Sequence, residues 1–203
     1  MNLPNILTLG RCVLAAFFVL FMSFDHVACY IIAYGLFAAA AITDYYDGKI
    51  ARAQNLITNF GKLLDPVADK ILMVAGFVML MRVPDLKIPG WAVIAILARE
   101  YLITGARSLA ASDGVILPAN AWGKAKTAIQ MTYVFIILAL VIFWRIILAV
   151  PALRAVLPGA PATYSAWLEY LSLGGIILVA VYTIYSGIQF TWVNWNALRL
   201  HQL

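Results

Sequence analysis

Residues 44–69 read DYYDGKIARAQNLITNFGKLLDPVAD, and the rest of the chain is organised around this stretch. It contains two pairs of aspartates: Asp44 and Asp47 are three residues apart, and Asp65 and Asp69 are four apart. On a helix, both spacings place the two carboxylates of a pair on one face, a turn apart. Apolar runs long enough to cross a bilayer flank the stretch on both sides. We therefore expect four acids near the inner ends of two membrane helices.

The composition predicts a membrane protein. The chain has 203 residues, of which 65% are hydrophobic and 11% charged, and its mean hydropathy is +0.93. A water-soluble domain carries roughly 25% charged residues. We expect an all-α integral membrane protein in which residues 1–203 form a single domain. The net charge of +5 does not indicate nucleic-acid binding, because the sequence has no basic run with interleaved aromatic residues.

Six membrane spans are expected, preceded by a short interfacial segment at residues 2–11. The predicted spans are residues 12–24, 28–51, 62–81, 90–111, 122–144 and 167–193, and the longest loop is 145–163. A signal peptide is the competing interpretation of the first apolar run. It is disfavoured because little charge precedes the run and because Asp25 and His26 make a poor cleavage context. Cys12 and Cys29 provide neither a disulfide framework nor a metal-binding spacing.

The distribution of lysine and arginine predicts the orientation in the membrane. With the N-terminus inside, the outer loops hold Arg82, Lys87, Arg145 and Arg154, whereas the inner ends hold Arg11, Lys49, Arg52, Lys62, Arg107, Lys124, Lys126 and Arg199. This excess favours both termini in the cytoplasm. The membrane that we expect is an inner (cytoplasmic) membrane of the bacterial type. The aspartate stretch would then lie at the cytoplasmic mouth of the second and third spans.

Four neighbouring carboxylates cannot all stay ionised without positive partners. Hard divalent cations prefer carboxylate oxygens, and two Mg²⁺-like ions would offset all four charges. Paired ions of this kind recur in phosphoryl chemistry, where they polarise a phosphate and stabilise the leaving oxygen. Gly48 and Gly61 would let a ligand approach the backbone, and Ala51 would keep the helix face uncrowded. Arg52 is suited to bind a diphosphate through two hydrogen bonds.

Two other interpretations of the acids stay open. They could form solvated salt bridges at helix ends with Lys49, Arg52, Lys62 and Lys70. They could also line the path of a cation transporter. A transporter would distribute its acids across the membrane, however, and it would leave the two glycines and Arg52 unexplained.

The full spacing D-x₂-D-G-x₂-A-R-x₈-G-x₃-D-x₃-D resembles the signature of the CDP-alcohol phosphotransferases at every defined position. Members of that family transfer a substituted phosphoryl group from a CDP-alcohol to an acceptor hydroxyl and release CMP. The resemblance implies that two Mg²⁺ or Mn²⁺ ions bind to Asp44, Asp47, Asp65 and Asp69. It also implies that Asp69 is the catalytic base acting on the acceptor. The implied contacts to the CDP-alcohol are Asp44, Asp47, Gly48, Ala51, Arg52, Gly61 and Asp65.

Five other residues are candidates for binding an acceptor phosphate: Thr8, Arg11, Arg107, Lys124 and Lys126. We expect all five at the cytoplasmic face, where basic groups suit a phosphate. The alternative is that they anchor the protein to lipid headgroups. Lys124 and Lys126 begin a helix, a place where the helix dipole disfavours cations, so a ligand would account for them better.

Within that family, four segments resemble the phosphatidylglycerophosphate synthases: NLPNILTLGR, LDPVADK, the pair Arg99–Glu100, and GKAKT. This resemblance implies CDP-diacylglycerol as donor, glycerol 3-phosphate as acceptor, and a homodimer in the lipid membrane. A cardiolipin synthase of the same family, with phosphatidylglycerol as acceptor, is the alternative. An acceptor of the phosphatidylinositol-phosphate type is less favoured.

Some charged, aromatic and small residues within the spans carry further expectations. Adjacent residues on a helix do not face each other, so Arg99 and Glu100 should contact different neighbours: Glu100 a cation such as Lys70, or Arg99 an acid of the site. A buried charge pair with only a structural role is the alternative. Four tryptophans are expected at the bilayer interfaces: Trp122, Trp144, Trp192 and Trp195. Close helix approach is expected at Gly174, Gly175 and Gly187, and an interface between protomers is one candidate location for it.

Overall fold

The computed structural model consists of six long helices within the residues that it describes, which are 3–54, 59–112, 114–115, 117, 121–152 and 160–195. The helices are α1 (Leu3–Met22), α2 (Val27–Gln54), α3 (Asn59–Leu80), α4 (Gly90–Ser112), α5 (Ala121–Ala149) and α6 (Ala160–Val193). Side chains lie outside this description at 3–7, 44–54, 59–67, 69, 121, 124 and 160–162. The prediction of an all-α protein is confirmed.

Two predicted boundaries are wrong, and in both cases a proline is the reason. The expected interfacial segment is not separate from the first span, because α1 runs unbroken from Leu3 to Met22. The expected loop at 145–163 is shorter, because α5 continues to Ala149 and α6 begins at Ala160. Pro4 and Pro161 each lie in the first turn of a helix, where the missing N–H costs no helical hydrogen bond.

Two helical segments in the described part of the chain are long and apolar enough to cross a membrane: Ala125–Ala149 and Thr163–Val193. Three apolar helical segments are shorter: Thr8–Met22, Val27–Thr43 and Lys70–Leu80. These lengths accord with a membrane protein, whereas the number of spans stays a prediction.

The chain divides into two compact units. Unit 1 comprises Met1–Asp85 and Val134–Leu168, and unit 2 comprises Leu86–Tyr133 and Glu169–Leu203. In unit 1, α1 packs against α2 and α3. Phe18 and Phe37 are fully buried there with ring centroids 5.3 Å apart, and Phe135 meets Phe37 edge-on at 5.0 Å. Aromatic pairs of this kind add to the stability gained from burial.

An arginine near the end of α5 joins the segments that follow α1 and α3. Arg145 contacts Asp25 at 3.0 Å and Asp85 at 2.9 Å, and its guanidinium lies 5.7 Å from the centroid of the Tyr30 ring. The Tyr30 hydroxyl donates to Asp25 Oδ1 at 3.0 Å. We call these four residues the Arg145 clasp. They connect three separate parts of unit 1.

In unit 2, two glycines of α6 permit close contact between helices of the same chain. A Cβ atom at Gly175 would lie 2.6 Å from Tyr133 Cε2, and one at Gly187 would lie 2.9 Å from Arg99 Cγ. A Cβ at Gly174 would meet nothing within 4 Å. Gly175 and Gly187 therefore contact neighbouring helices within the chain, which confirms the close helix approach expected at these two positions; an interface between protomers stays a prediction.

The end of α4 is closed by hydrogen bonds typical of a glycine C-cap. Gly114 has a φ of 76°, the left-handed conformation that glycine adopts without steric cost. The Val115 N–H donates to Ala110 O at 2.8 Å, and the Gly114 N–H donates to Ala111 O at 3.1 Å. This pattern is a Schellman motif, and it ends α4 at Ser112, close to the predicted boundary.

Candidate active site

The aspartate stretch lies on two helices of unit 1. Asp44 and Asp47 belong to the second half of α2, and Asp65 and Asp69 belong to the first half of α3. The backbone is helical at all four positions, so the spacings of three and four residues place each pair about one turn apart, as expected. Gly48, Ala51 and Arg52 also lie on α2, and Gly61 lies on α3.

The side chains of these predicted metal and CDP-alcohol ligands lie outside the described part of the structure. Among the side chains that are described, no group of three or more histidines, cysteines or acids is placed to hold a metal ion. The donor set itself fits a hard cation, because four carboxylates supply only oxygen ligands. The metal site therefore stays a prediction carried by the residue types and by the helical backbone that presents them.

Two of the predicted acceptor-binding residues belong to α1 in unit 1. Thr8 and Arg11 are three residues apart, and both are buried. Each makes at least one polar, ring or electrostatic interaction with another part of the chain. A threonine and an arginine buried one turn apart provide neutral and charged hydrogen-bond donors on one helix face.

The other three belong to unit 2. Arg107 on α4 is half-buried and lies over the Phe190 ring, 4.8 Å from the centroid, a distance suited to a cation–π contact. Lys126 on α5 is only 7% exposed. Lys124 is also on α5, and its side chain lies outside the described part. Residues two apart on a helix do not share a face, so Lys124 and Lys126 belong to different sides of α5.

Lys126 is bound to a half-buried acid, Glu100, that lies on α4. Its Nζ donates to Glu100 Oε1, and Gln130 Nε2 donates to the same oxygen at 3.3 Å. Arg99 Nη1 lies 3.6 Å from that oxygen, and Arg99 Nη2 donates to Ser186 Oγ at 3.0 Å. We call these residues, with Thr183, the Glu100 cluster. Glu100 thus pairs with Lys126, and Arg99 approaches Glu100 although the two are adjacent in sequence.

Three members of the Glu100 cluster were not predicted: Gln130, Thr183 and Ser186. Gln130 is 2% exposed, Thr183 1% and Ser186 0%, and Gln130 Nε2 also donates to Thr183 Oγ1 at 3.1 Å. The available signal was their position within apolar runs, where a buried polar group requires a partner. Gln130 follows Lys126 by one helical turn, so both reach the same neighbour on α4.

An apolar groove of about 460 Å³ lies beside the Glu100 cluster, between α4 and α6. Leu102 and Ile188 form part of its wall, together with Trp192 and Trp195 near the end of α6. Arg99 also lines the groove, while its terminal nitrogens lie against Ser186 and Glu100. Arg99 therefore borders the groove and also belongs to the Glu100 cluster.

Comparison with known proteins shows similarity to CDP-alcohol phosphatidyltransferases along nearly the whole chain. A family model described as CDP-alcohol phosphatidyltransferase matches residues 1–157. The CDP-diacylglycerol–glycerol-3-phosphate 3-phosphatidyltransferase of Bacillus subtilis is 37% identical over 215 aligned residues, covering 98% of this chain and 97% of the relative.

Two further relatives match a shorter part of the chain. A probable phosphatidylglycerophosphate synthase of Mycobacterium tuberculosis is 41% identical over 132 residues, which cover 64% of this chain and 62% of the relative. A cardiolipin synthase (CMP-forming) of Oryza sativa is 38% identical over 151 residues, covering 68% of this chain and 46% of the relative.

Proposed function

Because the chain belongs to the CDP-alcohol phosphatidyltransferase family, we propose that it transfers the phosphatidyl group of CDP-diacylglycerol to a hydroxyl of glycerol 3-phosphate. The products are CMP and phosphatidylglycerol phosphate. The observation that carries this proposal is the match to the Bacillus subtilis relative along almost the full length of both chains. The eight defined positions of the motif between Asp44 and Asp69 support the transfer from a CDP-alcohol with release of CMP.

The acids of α2 and α3 would hold two divalent ions. Carboxylates of Asp44, Asp47, Asp65 and Asp69 are the ligands that Mg²⁺ or Mn²⁺ would take. When bound, the ions would supply positive charge to the diphosphate and to the leaving CMP oxygen. The helical backbone at all four positions supports this assignment, because it presents each pair of acids one turn apart.

The chain's own residues would perform binding and proton transfer. Arg52 would bind the donor diphosphate, and Gly48, Ala51 and Gly61 would leave room for cytidine. The acceptor oxygen would bond to the phosphatidyl phosphorus as the bond between that phosphorus and the CMP oxygen breaks. Asp69 would take the acceptor hydroxyl proton as attack proceeds, since a hydroxyl at its normal pKa is a weak nucleophile.

Thr8, Arg11, Arg107, Lys124 and Lys126 are proposed to bind the phosphate of glycerol 3-phosphate. The burial of Arg11 and Lys126 supports this role, because cations in apolar surroundings favour anionic partners. The proposal extends to a single catalytic domain of six spans in the inner membrane of a bacterial-type cell. Both termini and the active site would face the cytoplasm, and the protein would work as a homodimer among membrane lipids.

Release of CMP from CDP-diacylglycerol tests the proposal. Purified protein with Mg²⁺ is offered glycerol 3-phosphate or phosphatidylglycerol, and CMP is measured for each. We expect CMP with glycerol 3-phosphate. CMP with phosphatidylglycerol alone would identify a cardiolipin synthase. Cation flux in vesicles without CMP release would favour a transporter.

A further inference from the structure

The Glu100 cluster brings two buried cations to one carboxylate. Arg99 is 9% exposed, Lys126 is 7% exposed, and Glu100 Oε1 is within salt-bridge distance of both. Charges buried in apolar surroundings are costly unless they are paired and hydrogen-bonded. Glu100 therefore supplies negative charge to both buried cations and holds the Lys126 ammonium at one place.

Glu100 is itself held in place from α5 and α6. Gln130 donates to Glu100 Oε1 at 3.3 Å and to Thr183 Oγ1 at 3.1 Å. Gln130 and Thr183 are almost fully buried, so their side chains have little freedom to move. The carboxylate, and the ammonium bound to it, are consequently held by three helices.

We propose that Glu100 is a positioning residue, which fixes Lys126 as a buried ammonium for the phosphate of the acceptor. This inference rests on the proposed function. A lysine ammonium carries three N–H donors, so one nitrogen is able to hold a carboxylate and a phosphate oxygen together. Without Glu100, the Lys126 ammonium would lose a charge-assisted hydrogen bond and shift from this position. That shift weakens acceptor binding.

The test is Glu100→Gln, which keeps the shape of the side chain and removes its charge. We expect the KM for glycerol 3-phosphate to rise about tenfold, the usual scale for a hydrogen bond to a charged group. The KM for CDP-diacylglycerol should change less than about twofold, because the donor is assigned to residues of unit 1. A Lys126→Met background provides the decisive comparison: there, Glu100→Gln should have almost no further effect on the acceptor KM.

Tyr133→Phe is the matched control. The Tyr133 hydroxyl donates to Ser172 O at 2.8 Å, which is another buried hydrogen bond between α5 and α6 in unit 2. This variant should lower thermal stability without changing the acceptor KM. If Glu100→Gln fails to fold, Gln130→Met is the alternative test. It removes the hydrogen bond from Gln130 to the Glu100 carboxylate but keeps the carboxylate itself, and the acceptor KM should rise about threefold.

The outcomes separate this inference from the proposed function. An unchanged or lowered acceptor KM in active Glu100→Gln protein would overturn the positioning role alone. So would a full tenfold effect in the Lys126→Met background, since Glu100 would then act through another residue. If wild-type protein releases no CMP with glycerol 3-phosphate, the proposed function fails, and the role assigned to Glu100 fails with it.

Discussion

The contact between Arg99 and Gly187 leaves no space for a larger residue at position 187. A Cβ atom there would lie 2.9 Å from Arg99 Cγ and 3.1 Å from Arg99 Nε. Both distances are shorter than ordinary van der Waals contact. We predict that Gly187→Ala displaces the arginine and weakens its 3.0 Å hydrogen bond to Ser186.

The magnitude follows from a comparison with Gly174→Ala on the same helix. Both variants add one methyl group to α6, so the gain in helix propensity, about 1 kcal/mol, cancels between them. A Cβ at Gly174 meets nothing within 4 Å. Overpacking costs about 1–3 kcal/mol, and losing a hydrogen bond from a charged donor adds to that cost. We expect a difference of about 3 kcal/mol, or about 6–12 °C in melting temperature for a chain of this size.

The measurement is thermal unfolding of the purified variants in detergent, followed by tryptophan fluorescence. Gly187→Ala should melt below the wild type, and Gly174→Ala at or slightly above it. Equal melting temperatures for the two alanine variants would show that α6 and Arg99 are not packed as described here.

Three other predictions concern the proposed active site and the Arg145 clasp. Asp69→Asn should retain CDP-diacylglycerol binding while CMP release falls about 10²–10⁴-fold, and normal turnover would refute Asp69 as the base. Lys124→Ala and Lys126→Ala should raise the KM for glycerol 3-phosphate by different factors, because residues two apart face different sides of α5. If either variant raises the KM for CDP-diacylglycerol as much as the KM for glycerol 3-phosphate, the cause is misfolding. Arg145→Met should lower stability by about 1–3 kcal/mol, mainly because it removes the ion pair to the partly buried Asp85. Arg82→Met removes only an exposed contact to Ser23 at 3.4 Å and should cost less than about 0.5 kcal/mol; similar melting temperatures for the two variants would contradict the clasp.

The helices were predictable because apolar length and prolines leave a strong signal in a membrane protein. The predicted start of α4 at residue 90 agrees with the structure, and its end differs by one residue. The errors concern Pro4 and Pro161, which were interpreted as marking loops although both lie in first turns. Proline in a first turn removes no helical hydrogen bond, so a proline in the sequence does not by itself distinguish a loop from the start of a helix.

Contacts between helices were much harder to predict. The sequence indicated that Glu100 needs a cation. Its partner, Lys126, is 26 residues away on another helix, and which cation reaches Glu100 depends on how the helices pack. Trp144 shows the same limit. Its place at the bilayer interface stays a prediction, whereas its burial to 3% exposure and its stacking on Tyr164, with centroids 5.0 Å apart, were not indicated by the sequence. Preference for an interface is statistical, whereas burial is decided by neighbours from distant parts of the chain.

The candidate site, too, was predictable only in part. The helical backbone of the aspartate motif was predictable because its spacing is local, whereas metal binding by its side chains stays a prediction. The residues proposed to bind the acceptor come from three helices, and sequence alone could not indicate that Lys126 is bound to Glu100 while Arg107 lies against Phe190.

The fate of labelled glycerol 3-phosphate tests the central proposal most directly. Purified protein in lipid vesicles is given CDP-diacylglycerol, Mg²⁺ and glycerol 3-phosphate labelled in its glycerol carbons, and the lipid fraction is separated from CMP. We predict label in phosphatidylglycerol phosphate, in a ratio of about one to one with the CMP released, because each phosphatidyl transfer forms one bond and breaks one. CMP release with the label still in the water-soluble fraction would contradict transfer to glycerol 3-phosphate.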